Sequence, residues 1–274
     1  EDIYIYLRDE YPHIHELLTI EIEKLKQAGI SSFADIHLRR GAGAYVCGEE
    51  SALLESIEGK RGLPRNRPPF PAQQGLFQRP TLINNVETLY WVREILANGA
   101  EWFRAEGWPR FYSVSGRVKN PNVVRAPSSI TAKQLIEDHC GGMLKGHSFK
   151  AYLPGGASGG IMPAALADEP LDFGSLDAHG CFVGSAALVV LSDQDDIKRV
   201  TLNLLRFFED ESCGQCTPCR LGCEKMIGLI ETGEWNEELI NDLSLVMRDA
   251  SICGLGQAAP NPVNSALRFF GGEL

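Results

Sequence analysis

The sequence predicts a chain in three parts. An α/β domain, incomplete at its N-terminus, is expected over residues 1–109, a small β-grasp-like α+β domain over 110–195, and an all-α four-helix bundle over 196–274. Three patterns predict this. Apolar positions switch between strand-like and helical spacing in the first hundred residues. Short alternating runs bounded by turn residues dominate the middle. After Asp193 helical periodicity alone remains.

The elements follow in order. Residues 3–7 read as a short apolar strand. Ile14, Leu17, Leu18, Ile22 and Leu25 recur at helical spacing, and Gly29 sits where a C-terminal cap belongs. Residues 33–38 alternate as a second strand, which makes a βαβ unit expected to be parallel and right-handed. Gly41 and Gly43 precede a helix over about 49–57, stopped by Gly59. Residues 62–80, rich in Pro, Gly and Arg, should be an ordered extended loop. A helix resumes at about 86–97.

Residues 111–118 alternate, Asn120-Pro121 turns the chain, and 123–126 returns it. Thr131 to Gln134 has the form of a capping box opening a short helix to His139. Strands are expected at 149–153 and 187–191, then helices at 197–208, 221–230, 237–247 and 263–270. Gly233 should end the second of these helices and Asn236 cap the third.

The bulk numbers bound the function. With 274 residues and 44% hydrophobic content the chain can build two or three cores. A formal net charge of −10 argues against nucleic-acid binding. No apolar run approaches the roughly 18 residues of a membrane helix, so no direct membrane insertion is expected. Eight cysteines in a chain of this length suit a reducing, cytoplasmic setting with a metal site. The chain opens inside a strand without an initiator Met, and is expected to be part of a longer polypeptide.

Half of the cysteines carry the sharpest signal. Cys213, Cys216 and Cys219 form a C-x2-C-x2-C run, and Cys253 follows in Ser-Ile-Cys-Gly-Leu-Gly. Three thiolates at this spacing fit three corners of a 4Fe–4S cube, with a remote cysteine closing the fourth. Cys223 is the competing fourth ligand, but no second triplet exists for it to serve. Cys253 is therefore assigned to the cube and Cys223 left as a buried neighbouring thiol. A zinc knot would prefer two C-x2-C pairs, or pairs completed by His. The predicted bundle places the triplet in its first connection and Cys253 in its third, which emerge at one end of an antiparallel bundle.

The first domain holds a second set of candidates. Glycines between a strand and a helix usually prepare for phosphate. Here Glu49 and Glu50 stand where a diphosphate would land, and would repel it. They suit a neutral hydrogen-bond donor, or plain acidic N-capping of the helix. Asn84, Asn85 and Thr88 precede the next helix as polar pocket groups or as an Asx cap. Arg65 and Arg67, between prolines, are either a solvated basic loop or contacts to a dinucleotide phosphate or a partner protein. Gly155 to Gly160 lacks the Lys-Ser/Thr of a P-loop and reads as a turn. His13, His15 and His37 form no ligand pattern.

Four segments in this order carry a family resemblance: Gly43 to Leu53, Pro64 to Ala72, Pro80 to Thr88 and Glu211 to Arg220. They resemble the flavin- and NADH-binding subunit of respiratory complex I. NAD-linked hydrogenases and NAD-dependent formate dehydrogenases carry relatives of it. The likeness is strongest to the formate dehydrogenase beta (diaphorase) subunit. The resemblance implies FMN, NAD(H) as substrate, one 4Fe–4S cluster and a middle domain of the soluble-ligand-binding β-grasp type. It implies a flavin pocket of Tyr45, Gly48, Glu49, Glu50, Asn84, Asn85 and Thr88, with Glu50 also facing the nicotinamide nucleotide. Arg67 falls where the family usually has Lys. The glycine-rich phosphate-binding segment that family members carry upstream of the first strand has no counterpart in this chain. Hydride transfer to a flavin needs no acid or base, so no catalytic residue is expected. The implied partners are a small 2Fe–2S subunit and a large molybdenum-containing formate-oxidising subunit.

Overall fold

The structure, a computed structural model, describes residues 2–233 and 235–274. The chain divides into two compact units, Glu1–Ile83 with Glu211–Gln215, and Asn84–Asp210 with Cys216–Leu274.

The first unit is built on the expected βαβ pattern. Strands β1 (Asp2–Leu7) and β2 (Asp35–Arg40) pair in parallel, with Ile3 opposite Ile36 and Leu7 opposite Arg40. Helix α1 (Pro12–Gln27) crosses between them. Pro12 opens it, where a missing N–H costs nothing. Gly29, at φ +68°, closes it: its N–H reaches the Lys26 carbonyl and the Ile30 N–H reaches that of Leu25, a Schellman motif. Strand β2 lies two residues later than periodicity predicted, because a turn in which the Ala34 N–H bonds the Ser31 carbonyl occupies its expected start. Phe33 is accordingly exposed.

Helix α2 (Glu50–Ile57) follows a 3-10 turn at Tyr45–Gly48, and Gly59 (φ +77°) turns the chain after it. The loop beyond is ordered by charge. Arg65 Nε donates to Glu55 Oε1 at 2.6 Å and Nη2 to Glu58 Oε1 at 3.1 Å. Its Nη1 reaches the Gly75 carbonyl at 3.0 Å, and its backbone N–H bonds Ser51 Oγ at 2.9 Å. Arg65 is thus a structural cation.

The second unit begins with α3 (Val86–Asn98) and α4 (Ala100–Ala105). Its mixed sheet comprises β3 (Arg110–Gly116), β4 (Asn122–Ala126), β5 (Phe149–Leu153), β6 (Met162–Pro163) and β7 (Ala187–Ser192). The order is β4-β3-β7-β5-β6, with β3 and β7 parallel and the other pairs antiparallel. Strand β3 stops two residues early because Gly116 turns at φ +91°, where any Cβ would stand 2.2 Å from the Val190 carbonyl oxygen. Strand β6 is too short to show as an alternating run. The capping box forms as expected at Thr131, opening α5 (Ala132–Gln134), but the chain then continues as a π turn over Leu135–His139.

The helical part holds α6 (Ile197–Asp210), α7 (Thr217–Thr232), α8 (Glu237–Ala250), α9 (Gly254–Ala258) and α10 (Asn261–Phe270). The expected four segments are present, and the one-turn α9 is an addition. Gly233 ends α7 at φ +80°, and Asn236 Oδ1 caps α8 by accepting from the Leu239 N–H at 3.1 Å. Helix α7 starts four residues before the expected position. Pro218 fits its first turn, where no N–H is needed, so Cys219 lies inside the helix rather than in a connection.

Sheet and helices share a core. Ala151, Leu153, Ile161 and Leu191 pack with Ile197, Leu204, Ala266 and Phe270. The Gly155–Gly160 turn is held against this junction. A Cβ at Gly155 would lie 2.6 Å from the Val183 carbonyl carbon, and one at Gly159 2.6 Å from the Phe182 carbonyl oxygen. The Ile161 N–H donates to Ser265 Oγ at 2.8 Å and Asn261 Nδ2 to the Ser158 carbonyl at 2.9 Å. Among the described residues no helix is long and apolar enough to cross a membrane.

Asp195 ties the sheet to the start of α6. Arg117 forks onto it, Nη2 to Oδ1 at 2.7 Å and Nε to Oδ2 at 3.1 Å, and the Ser192 N–H adds a bond of 2.8 Å. The Arg117 bonds lead in holding its carboxyl down, against burial, from 3.8 to about 2. A depressed acid contributes stability that is complete above its unfolded pKa and is lost as pH falls through the folded value. Asp195 should therefore support the fold fully above pH 3.8 and lose that support on acidification toward pH 2. Asp195→Asn should cost about 2 kcal/mol at neutral pH and remove that acid-dependent part from the unfolding profile. Denaturant titrations of both proteins across pH check this.

Candidate cofactor sites

A cleft of about 260 Å³ opens in the first unit beyond the C-terminal ends of β1 and β2. That is where open α/β sheets place their ligands. Its walls include Tyr6 near the end of β1, Arg8 and Glu10 from the chain after it, Gly41 to Gly48 without Val46, and Leu53 of α2. The volume lies just below the range of about 300–1,000 Å³ common for small-molecule sites.

The backbone shapes this cleft. A Cβ at Gly41 would stand 2.8 Å from the Leu7 carbonyl oxygen, so glycine lets the two segments meet. Tyr6 Oη accepts from the Ala42 N–H at 2.9 Å and shares a 2.9 Å hydrogen bond with Ser56 Oγ. Burial raises the Tyr6 phenol above its ordinary 10 despite those bonds, so it stays protonated at neutral pH. Tyr45 is exposed, and its backbone N–H donates to Glu211 Oε2 at 2.8 Å. Glu211 stands two residues before Cys213, whose carbonyl accepts from Arg61 Nη2 at 3.0 Å. These two bonds hold the Cys213 segment on the flank of the cleft.

The acidic pair separates into two roles. Glu49 caps α2: its Oε2 accepts from the Ser51 and Ala52 N–H groups at 3.0 and 2.9 Å. Its Oε1 takes a short contact from Arg67 Nη2. Both oxygens are therefore committed to the fold, which realises the acidic N-capping alternative. Glu50 meets Arg67 Nη1 at 2.9 Å, with its side chain 38% exposed. It is the carboxylate of the pair open to solvent. Arg67 thus sits beside the acidic pair.

Asn84, Asn85 and Thr88 belong to the second unit. Asn85 Oδ1 accepts from the Thr88 N–H at 2.7 Å and caps α3, which realises the Asx-cap alternative there.

The cysteines divide in the same way. Cys213 lies with the first unit, and Cys216, Cys219 and Cys253 with the second. Cys216 is the N-terminal cap residue of α7 and Cys253 that of α9, both in extended conformation and without a side-chain capping bond. Cys219 is buried in the first turn of α7. Helix α9 approaches it so closely that a Cβ at Gly256 would stand 2.7 Å from Cys219 Cβ. Cys223, one turn further, is fully buried, and a hydrogen bond with Cys219 and then burial raise its thiol. None of the eight cysteines is in a disulfide. Among the described residues no three His, Cys, Asp or Glu groups are gathered closely enough to hold a metal ion. The donor set nonetheless fits an iron–sulfur cluster by type: sulfur ligands, a helix start at α7 that favours an anion, and a buried Ser251 hydroxyl without a partner among the described residues.

Comparisons with known proteins place the chain. The Nuo51 FMN-binding domain matches residues 1–94, the SLBB domain residues 111–162, and the NADH-ubiquinone oxidoreductase-F iron-sulfur binding region residues 199–274. The F component of the NADH-quinone oxidoreductase of Rhodobacter capsulatus is 41% identical across 99% of this chain and 68% of its own length. The second such F component of Rhizobium meliloti (strain 1021) is 38% identical across 100% of this chain and 70% of its own. The chain belongs to the NADH-quinone oxidoreductase-F family. Also similar is the HndC component of the NADP-reducing hydrogenase of Solidesulfovibrio fructosivorans, 37% identical over 98% of this chain and 59% of its own. A crystal structure of an NAD+-reducing NiFe-hydrogenase in the H2-reduced state superimposes with a TM-score of 0.90 at 35% identity, covering 99% of this chain and 48% of that one. As a member of this family the chain carries an FMN-binding domain and a 4Fe–4S binding region.

Sequence reasoning missed Tyr6, Arg8, Glu10 and Cys47 on the cleft wall. The position of the first two at the end of a parallel strand was the available signal. Glu211 had none, because its partner lies 166 residues away.

The division of labour between the two glutamates is testable. Glu49→Ala should lower stability by about 1 kcal/mol through loss of the cap. Glu50→Gln should stay within about 0.5 kcal/mol of the parent, since its pair with Arg67 is half exposed. Thermal unfolding of both variants checks this.

Proposed function

We propose that this chain is the diaphorase module of a larger complex, moving electrons between NAD(H), a flavin and a 4Fe–4S cluster. The observation that carries the reading is the presence in one chain of an FMN-binding domain with a cleft at its strand ends and an iron–sulfur region whose cysteines open α7 and α9.

Tyr45, Gly48, Glu50 and Arg67 would hold the flavin and nucleotide from the first unit, with Glu49 fixing the helix that presents them. Asn84, Asn85 and Thr88 would contribute from the start of α3. Glycine walls and the tyrosine faces suit a flat aromatic ring, and Glu50 suits a neutral donor better than a phosphate. FMN, when bound, supplies the conversion between two-electron hydride transfer and single-electron steps. The residues around it orient and stack, and no protein acid or base is assigned. Cys213, Cys216, Cys219 and Cys253 would ligate the cluster, with Cys223 beside them. The three-part division at residues 109 and 195 belongs to the same proposal, as does a cytoplasmic setting, which eight cysteines outside disulfides support.

The electron partner belongs to the same proposal. The names of the relatives support a quinone- or hydrogen-linked complex, and the small 2Fe–2S protein next in line rests on the sequence resemblance. The formate-oxidising molybdenum partner implied by sequence resemblance has no support among those names.

Spectroscopy, iron counts and turnover test the reading. The full-length protein should show flavin absorbance, four irons per chain, and NADH-dependent dye reduction. Cys253→Ser should abolish the cluster, whereas Cys223→Ser should retain its iron; the reverse pattern would overturn the ligand set. Assay of the intact complex with hydrogen, quinone and formate then assigns the branch.

A further inference from the structure

Ser251 stands at the C-terminal end of α8, two residues before Cys253. Its side chain is nearly fully buried, at 6% exposure, and its Oγ has no hydrogen-bond partner among the described residues. The residue is well anchored otherwise. Its N–H bonds the Met247 carbonyl at 3.2 Å, and its own carbonyl accepts from Gln257 Nε2 at 3.1 Å. Packing leaves the hydroxyl little freedom. A Cβ at Gly256 would stand 2.5 Å from Ser251 Oγ and 2.7 Å from Cys219 Cβ, so the hydroxyl and the cysteine flank the same glycine.

Burying a hydroxyl without a partner costs the full desolvation of that group. An alanine at this position would avoid that cost and fill nearly the same space. The hydroxyl is therefore placed for an acceptor that the described residues do not supply as they stand. It lies beside Cys219 and next but one to Cys253, where a bound cluster would bring sulfur to it.

We infer that Ser251 is a positioning residue for the iron–sulfur centre: its Oγ–H donates to a sulfur at the Cys219–Cys253 side of the cluster and raises the cluster's reduction potential. The inference rests on the cluster assignment proposed above. The sign follows from charge. Reduction adds one negative charge to the cluster, and a fixed donor stabilises the more negative state more strongly. Hydrogen bonds to cluster sulfurs are among the protein's means of setting potential.

The test uses the full-length protein in its native complex, as parent, Ser251→Ala and Ser251→Thr. Iron and flavin are counted first, and the cluster is then titrated against potential by electron paramagnetic resonance. Ser251→Ala should keep its iron and titrate at a more negative potential. At a fixed NADH/NAD+ ratio its reduced-to-oxidised cluster ratio should fall about tenfold, the effect of losing one hydrogen bond to a charged group. Ser251→Thr, which keeps the hydroxyl, should match the parent. An Ala variant with full iron and the parent's potential overturns the inference while leaving the cluster assignment standing. A parent that holds no iron–sulfur cluster overturns both. Should Ser251→Ala fail to retain iron, a crystal structure of the loaded parent decides. Ser251 Oγ within hydrogen-bonding distance of a cluster or ligand sulfur supports the inference, and Oγ bonded elsewhere overturns it.

Discussion

The carboxylate of Glu49 holds the flavin-binding unit together at the start of α2. Helix α2 has eight residues, too few to persist alone. Its start is closed by Glu49, and Ser51 in the same turn accepts the Arg65 N–H. Arg65 in turn binds Glu55 and Glu58 on the next turns of the chain. The loop after α2 is therefore wound back along the helix by charge, and the cleft wall at Tyr45–Gly48 leads straight into the capped end. This unit buries few large apolar side chains, with Leu54 and Leu76 among them. Ion pairs and caps do the organising that a larger core does in the sheet and helices.

The second unit uses glycine and proline to the same end. Gly116, Gly155, Gly159 and Gly256 each sit where a side chain would strike a neighbouring backbone or side chain. Pro218 lets α7 begin early and draws Cys219 into its first turn. These placements set sulfur groups and backbone within close packing distance. They also explain why ordinary substitution at such positions should be felt far from the altered atom.

Much of this was legible in the sequence. The βαβ start, the capping box at Thr131, the caps at Gly233 and Asn236, and the family itself all followed from periodicity, turn chemistry and motif order. Boundaries failed where a local device overrode periodicity: the Ser31–Ala34 turn moved β2, Gly116 ended β3, and Pro218 advanced α7. The two-residue β6 had no pattern to read. In the site, the type of residue was legible and its allegiance was not. Glu49 and Glu50 look alike in sequence, yet one is absorbed by the backbone N–H groups of α2 and the other faces solvent. Ser251 carried no sequence signal, because a serine's missing partner is visible only when its surroundings are.

The bond between Tyr45 and Glu211 has a bearing on how the protein is made. The flavin-binding unit is discontinuous: its first 83 residues are joined by Glu211–Gln215, synthesised 128 residues later. In a nascent chain the bond from the Tyr45 N–H to Glu211 therefore forms only after the whole intervening sheet and α6 have been translated. At synthesis rates of roughly 5–20 residues per second that interval lasts on the order of ten seconds. Assembly order is thus written into the connectivity, with the segment bearing Cys213 arriving last at the turn it secures.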